Sequence, residues 1–203
     1  SRVRRGAPLH GLRCALAMKL SPSRGELGQH LRSPEVRGQR TTVAAEPPWR
    51  RYSQAIKELS KKRLWKEALG ELSDMSASGV APNVIACNMA ISACGRSTRW
   101  QHAVCLLGGL QDDELEPSVV SYNSVISACH AGEQWERALA MLLEMEYANV
   151  QADAISYNVV ISACGNAGCW KHALDTLSGM RLRVLVADTT SFNAAISACE
   201  KGR

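Results

Sequence analysis

One interval, 35 residues, governs most of this chain. Asn88, Asn123, Asn158 and Asn193 recur at it, and so do Ile91, Ile126, Ile161 and Ile196. The tripeptide Ser-Ala-Cys returns at 92–94, 127–129, 162–164 and 197–199. Trp65, Trp100, Trp135 and Trp170 extend the register upstream, as do Ala68, Ala103, Ala138 and Ala173. Self-similarity at a fixed period of this size marks a stacked repeat, with one supersecondary unit per period. The register divides the chain into a degenerate unit at 49–83, full units at 84–118, 119–153 and 154–188, and a truncated unit at 189–203. The last unit stops after its first helix and residue 1 is Ser, so the sequence is expected to begin and end inside a longer array.

Each unit reads as two short helices. In 119–153, Tyr122, Ile126 and Cys129 fall on one helical face at i, i+4 and i+7, with Ser121 as a candidate N-cap. Gly132 breaks the pattern, and Trp135, Ala138, Leu139, Leu142 and Met145 then form a second stripe that Asn149 closes. Pro117 ends the second helix of the unit before. Neither stripe can be buried within one unit, so neighbours must stack. The fold class this predicts is all-α, an α-solenoid of helix-turn-helix units.

Composition supports a packed core: 46% of residues are apolar and 21% charged, near the globular norm. No apolar run approaches the roughly 18 residues of a membrane-spanning helix. Of the eight cysteines, Cys94, Cys129, Cys164 and Cys199 keep the 35-residue spacing. A disulfide framework has no reason to follow a repeat interval, whereas a small buried residue used once per unit does. Free core thiols imply a reducing compartment. No CxxC pair is present, which leaves a zinc site without ligands.

Charge is unevenly spread. Residues 1–51 hold 11 basic and 3 acidic residues, a net +8, while residues 52–203 hold 13 basic and 16 acidic residues, a net −3. The repeats therefore have no basic surface of the kind that binds nucleic acid through charge alone. Residues 1–48 show no helical or strand period and are rich in Arg, Ser, Gly and Pro. Such an acid-poor, Arg-rich start is expected to be disordered and has the composition of an organelle transit peptide; a basic arm without an address is the alternative.

The strings Val119-Val120-Ser121-Tyr122-Asn123-Ser124-Val125-Ile126-Ser127-Ala128-Cys129 and Ala154-Ile155-Ser156-Tyr157-Asn158-Val159-Val160-Ile161-Ser162-Ala163-Cys164 resemble the opening of a pentatricopeptide repeat of the P type. Trp135-Glu136-Arg137-Ala138-Leu139-Ala140-Met141-Leu142-Leu143-Glu144-Met145 is similar to that family's second helix, and 35 is the family's interval. The resemblance spans residues 49–203. It implies single-stranded RNA as partner, in a chloroplast or mitochondrion, read at about one base per repeat. It also implies the readers: the residue after the aromatic of the first helix, the last residue of the unit, and an apolar residue three before the first reader that holds the base.

In this sequence those are Asn88 with Ser118 and Ile85, Asn123 with Asp153 and Val120, and Asn158 with Asp188 and Ile155. The degenerate unit offers Ser53 with Asn83, but Arg50 stands at the apolar place; the last unit has Asn193 and Thr190. By the same resemblance Asn–Asp pairs suit uridine, Asn–Ser cytidine and Ser–Asn adenosine, which gives A-C-U-U and one unread base. Four bases recur by chance about once in 256 nucleotides, so four readers alone address no unique transcript.

Other readings stand beside this one. Asn83, Ser118, Asp153 and Asp188 precede helices, and capping alone would account for them. Four Asn residues near helix starts could instead tie helix to helix, since Asn is a poor helix former. The Trp column could stack bases but lies on an apolar stripe. His102 and His172 read as an exposed polar face, Lys61-Lys62-Arg63 as a phosphate contact or a solvated turn, and Asp112-Asp113-Glu114-Glu116 as a solvent-facing loop. Cys87 replaces the aromatic of its unit and predicts looser packing there. No P-loop, GxGxxG, GxSxG or zinc-deaminase signature occurs, so no catalysis, cofactor or small-molecule substrate is expected. RNA-processing proteins are possible further partners; a helical-repeat scaffold for proteins is the alternative function.

Overall fold

The computed structural model of the chain describes residues 47–202. The expectations for residues 1–46 lie outside them. Helices α1 (Pro48–Lys61) and α2 (Trp65–Ala77) form the first hairpin, and α3 (Val84–Arg96) and α4 (Trp100–Asp112) the second. The third is α5 (Val119–Ala131) with α6 (Trp135–Tyr147), and the fourth is α7 (Ala154–Asn166) with α8 (Trp170–Leu182). Helix α9 (Thr189–Lys201) follows, and no strand occurs among the described residues.

Each first helix packs on the next: α1 on α3, α3 on α5, α5 on α7 and α7 on α9. Each second helix packs within its hairpin and against the following first helix. First helices thus make a continuous layer and second helices an outer one, the asymmetry that curves a solenoid around its first-helix face. Small residues let the inner layer close up. A Cβ on Gly95 would lie 3.1 Å from Ala128 Cβ, and one on Gly165 would lie 3.3 Å from Ala198 Cβ.

Helix ends follow one scheme. The N-caps of α3, α5, α7 and α9 are Asn83, Ser118, Asp153 and Asp188, each accepting from the third residue of its helix. This corrects the reading of Ser121 as N-cap: Ser121 is the third residue of α5 and completes a capping box with Ser118. At the turns, residues one past the C-cap take the left-handed conformation: Arg63, Thr98, Glu133 and Gly168 inside hairpins, and Gly79, Glu114, Asn149 and Val184 between them. Gly132 is therefore not the left-handed residue of its turn. It is the C-cap of α5, where a Cβ would fall 2.5 Å from Trp100 Cδ1 of the preceding unit.

The predicted stripes form the core. Ile91, Ile126 and Ile161 are fully buried, as are Cys94, Cys129 and Cys164, and Cys87 is equally buried. At the C-terminal end Phe192 is 50% and Ile196 58% exposed, because no second helix of their own unit lies over them. The Trp residues are half-buried, with Trp170 the most open. They meet the next unit: Trp65 packs at a tilt against His102 with ring centroids 4.6 Å apart, Arg137 lies 5.4 Å over Trp100, and Trp135 packs at a tilt against His172 at 4.9 Å. His102 and His172 thus bridge neighbouring units, contrary to a purely solvent-facing role.

All seven described cysteines are free thiols. Burial pushes Cys87 and Cys94 up to about 12, and Cys129 and Cys164 up to about 11. At neutral pH these four should resist a thiol reagent until denaturant is added, while the half-exposed Cys105, Cys169 and Cys199 react in the native protein; mass mapping of modified peptides checks the division.

Candidate nucleic-acid interface

Ile85, Val120 and Ile155 sit at the second position of successive first helices and point out of the core, at 51%, 61% and 62% exposure. Between Ile85 and Val120 lies a cavity of about 560 Å³ that Asn88 and Ser118 also line. Between Val120 and Ile155 lies one of about 530 Å³, lined by Asn123 and Asp153. Val120 borders both. Each cavity therefore has an aliphatic wall from two neighbouring units and a polar pair at its side, because the register repeats one unit on.

The two Asn–Asp pairs are each joined by a hydrogen bond. Asn123 Nδ2 donates to Asp153 Oδ1 at 3.2 Å, and Asn158 Nδ2 to Asp188 Oδ1 at 3.3 Å. Asp153 Oδ1 also accepts the Ser156 N–H at 2.8 Å, and Asp188 Oδ1 the Ser191 N–H at 2.9 Å. The Ser156 hydroxyl donates to Asn123 Oδ1, and the Ser191 hydroxyl to Asn158 Oδ1. Capping, the tie between units and the polar pair are one network. The first pair differs: no hydrogen bond joins Asn88 to Ser118, and Asn88 Oδ1 is buried without a partner.

Other predicted positions diverge. Ser53 is only 5% exposed and its hydroxyl has no hydrogen-bond partner, while Asn83 accepts from the Ala86 N–H at 2.8 Å. Asn193 is exposed on α9, with Thr190 at the place of the aliphatic wall. Sequence reasoning missed Ser156 and Ser191, both fully buried. It also missed Arg96, which lines both cavities, and Lys57, which lines the first with Lys61; Lys61 is paired with Glu58 at 2.9 Å. A polar ladder crosses the inner layer as well: His130 Nε2 meets Ser162 Oγ at 3.2 Å and Asn166 Nδ2 at 3.1 Å, and Lys201 Nζ donates to Asn166 Oδ1 at 3.0 Å.

Burial would raise the Asp153 carboxyl, but the Ser156 amide and hydroxyl and the Asn123 amide outweigh it and hold it below its ordinary value. The Ser191 amide and hydroxyl, then Asn158, lower Asp188. No group of three or more His, Cys, Asp or Glu suited to a metal occurs among the described residues, and no described helix is long and apolar enough to cross a membrane.

The inner layer of this two-helix repeat carries paired aliphatic walls at its two middle junctions and amide–acid pairs at its last two, the layout of a repeat-built groove. Family models agree with the register: the PPR repeat family matches residues 117–166, the pentatricopeptide repeat domain residues 72–131, and the PPR repeat residues 155–183. The chain belongs to the pentatricopeptide repeat family. Comparison with curated proteins gives no match. Among solved structures, the pentatricopeptide repeat protein PPR10 from maize is similar at 28% identity and a TM-score of 0.62, over 72% of this chain and 21% of that one. PPR10 in complex with an 18-nt psaJ RNA element is similar at 23% identity and a TM-score of 0.69, over 78% of this chain and 23% of that one. The chain thus spans less than a quarter of those structures' length.

A lowered carboxyl contributes stability that is whole above the ordinary value near 4 and is lost as pH falls through the lower folded value. The stability advantage of wild type over Asp153→Asn with Asp188→Asn should be constant between pH 5 and 8 and shrink below about pH 4, as read by urea unfolding across pH.

Proposed function

We propose that the chain binds single-stranded RNA without catalysis, seating successive bases at the unit junctions, and serves RNA metabolism in a chloroplast or mitochondrion. The observation that carries this is the pair of aliphatic residues, one from each neighbouring unit, flanking a hydrogen-bonding pair in a cavity open to solvent. A planar base fits between aliphatic walls and offers its edge to the polar pair. Family membership and the likeness to a structure that holds RNA support the reading. Asn88 with Ser118 takes cytidine, and Asn123 with Asp153 and Asn158 with Asp188 take uridine. The adenosine site at Ser53 and Asn83 is the weakest, since Ser53 is buried. Lys57, Lys61 and Arg96 supply phosphate contacts at the first cavities and offset the net −3 of the repeats.

A scaffold for protein partners is the second reading. Tyr147, Leu182, Val184 and Val186 are 85–90% exposed, and none lines either groove cavity. Pull-down of protein that survives nuclease would favour it.

In a titration of labelled RNA carrying ACUU against a scrambled sequence, wild type should prefer ACUU, and Asn123→Ala with Asn158→Ala should abolish the preference. Equal wild-type affinity for both would discard base reading. Arg96→Ala should weaken both RNAs alike and flatten the slope of log K against log salt by about 0.7.

A further inference from the structure

Ser156 and Ser191 are fully buried, so neither touches a ligand in the groove. Each hydroxyl nevertheless does more than cap. Ser156 Oγ accepts from the Asp153 N–H at 3.2 Å, and Ser191 Oγ from the Asp188 N–H at 3.2 Å, which completes the capping boxes. Each hydroxyl proton then points back across the unit junction, with Asn123 Oδ1 or Asn158 Oδ1 as the nearer acceptor and the Asp Oδ1 at 2.9 Å as the other.

The consequence lies in the asparagine. A primary amide turned by 180° exchanges a donor for an acceptor. Here its NH2 faces a carboxylate, which only accepts, and its oxygen faces a hydroxyl proton. The reversed amide would set oxygen against carboxylate, and its NH2 could reach the serine oxygen only if the hydroxyl proton left the asparagine for the shared carboxylate oxygen. Asp153 Oδ1 accepts from the Asn123 amide and from the Ser156 N–H, and it is the second acceptor within reach of the Ser156 hydroxyl. What remains for a base is the second Asn N–H as donor and Asp Oδ2 as acceptor, in a fixed order.

We propose that Ser156 and Ser191 are positioning residues for base selection: their hydroxyls lock the Asn123 and Asn158 amides in one orientation and so set which hydrogen-bond order each junction offers. This rests on the RNA-binding reading above. Uracil and cytosine are the bases that report it, since they have the same ring and reversed donor and acceptor at adjacent edge atoms. The first full junction contains its own control. Ser121 makes the same capping contact, to Ser118 N at 3.0 Å, and its hydroxyl faces the Ser118 hydroxyl at 3.2 Å rather than Asn88. Ser118 can donate or accept, so nothing there fixes the Asn88 amide. The structure therefore carries locked junctions at Asn123 and Asn158 and an unlocked one at Asn88.

The test measures affinity for RNAs with U or C at the two positions facing Asn123 and Asn158. Wild type should favour U. Ser156→Ala with Ser191→Ala should lower the U-over-C ratio by about fivefold or more per junction, with overall RNA affinity little changed. Ser121→Ala should lose comparable stability and keep the ratio, and Ser156→Thr with Ser191→Thr, which retains the hydroxyls, should keep it too. Wild type without a U preference would sink the RNA reading and the lock with it. A wild-type U preference that survives in the double alanine variant would overturn the lock alone. Hydrogen exchange of side-chain NH2 groups in the unliganded wild type gives a second measurement, independent of any variant's folding. Asn123 and Asn158 should exchange more slowly than Asn88, and equal rates would overturn the proposal.

Discussion

One carboxylate oxygen at each of the last two junctions ties the units together. Asp153 Oδ1 ends the orphan N–H row of α7 through Ser156, and it receives the Asn123 amide from the helix one unit back. Asp188 does the same for α9 and Asn158. A cap is worth about 1 kcal/mol on its own, with or without a neighbour. Here the cap is also where two units meet, so the spacing of the first helices and the placement of the polar pair are set together. A chain built this way cannot shift one unit against the next without breaking a cap, a cross-unit bond and a groove pair at once.

That shared network dissolves a choice the sequence leaves open. Capping and groove placement looked like rival accounts of Asp153 and Asp188. Capping is now plain, and it engages Oδ1 alone among the carboxylate oxygens in the hydrogen bonds described. The two roles are compatible because a carboxylate has two oxygens. At Ser118 a single hydroxyl must serve both ends, and the Asn88 side chain is correspondingly left without a bond to it.

The fold was legible because it rests on identity at one spacing. Ile126, Cys129 and Ala138 are buried for the same reason as their counterparts in the other two full units, and a periodic signal survives local noise. What escaped was of two kinds. Ser156 and Ser191 are periodic too, with Ser121, but serine so near a helix start invites assignment as the cap itself, which hides its part as the partner of the cap three residues earlier. The Trp–His and Trp–Arg contacts join residues 37 apart, two more than the period, and only stacked second helices bring such offsets together. Arg96 carried no periodic mark, since Ala131 and Asn166 occupy its place in the next units.

Exposed aliphatics are ordinary when single, and Ile85, Val120 and Ile155 form no continuous patch. Their meaning arises at the junctions: each wall of a cavity belongs to a different unit, so a site exists only where two units stack. Five first helices among the described residues make four junctions. The outermost two have Arg50 or Thr190 in place of one aliphatic wall. The two between them are walled by Ile85 with Val120 and by Val120 with Ile155, and each forms an open cavity lined by Asn88 or Asn123. On the proposed RNA-binding reading, the walled seats for bases lie at the middle of the described array. Mutating Val120, which serves both cavities, removes a wall from each, whereas replacing Asn88 or Asn123 alters the polar side of one cavity alone.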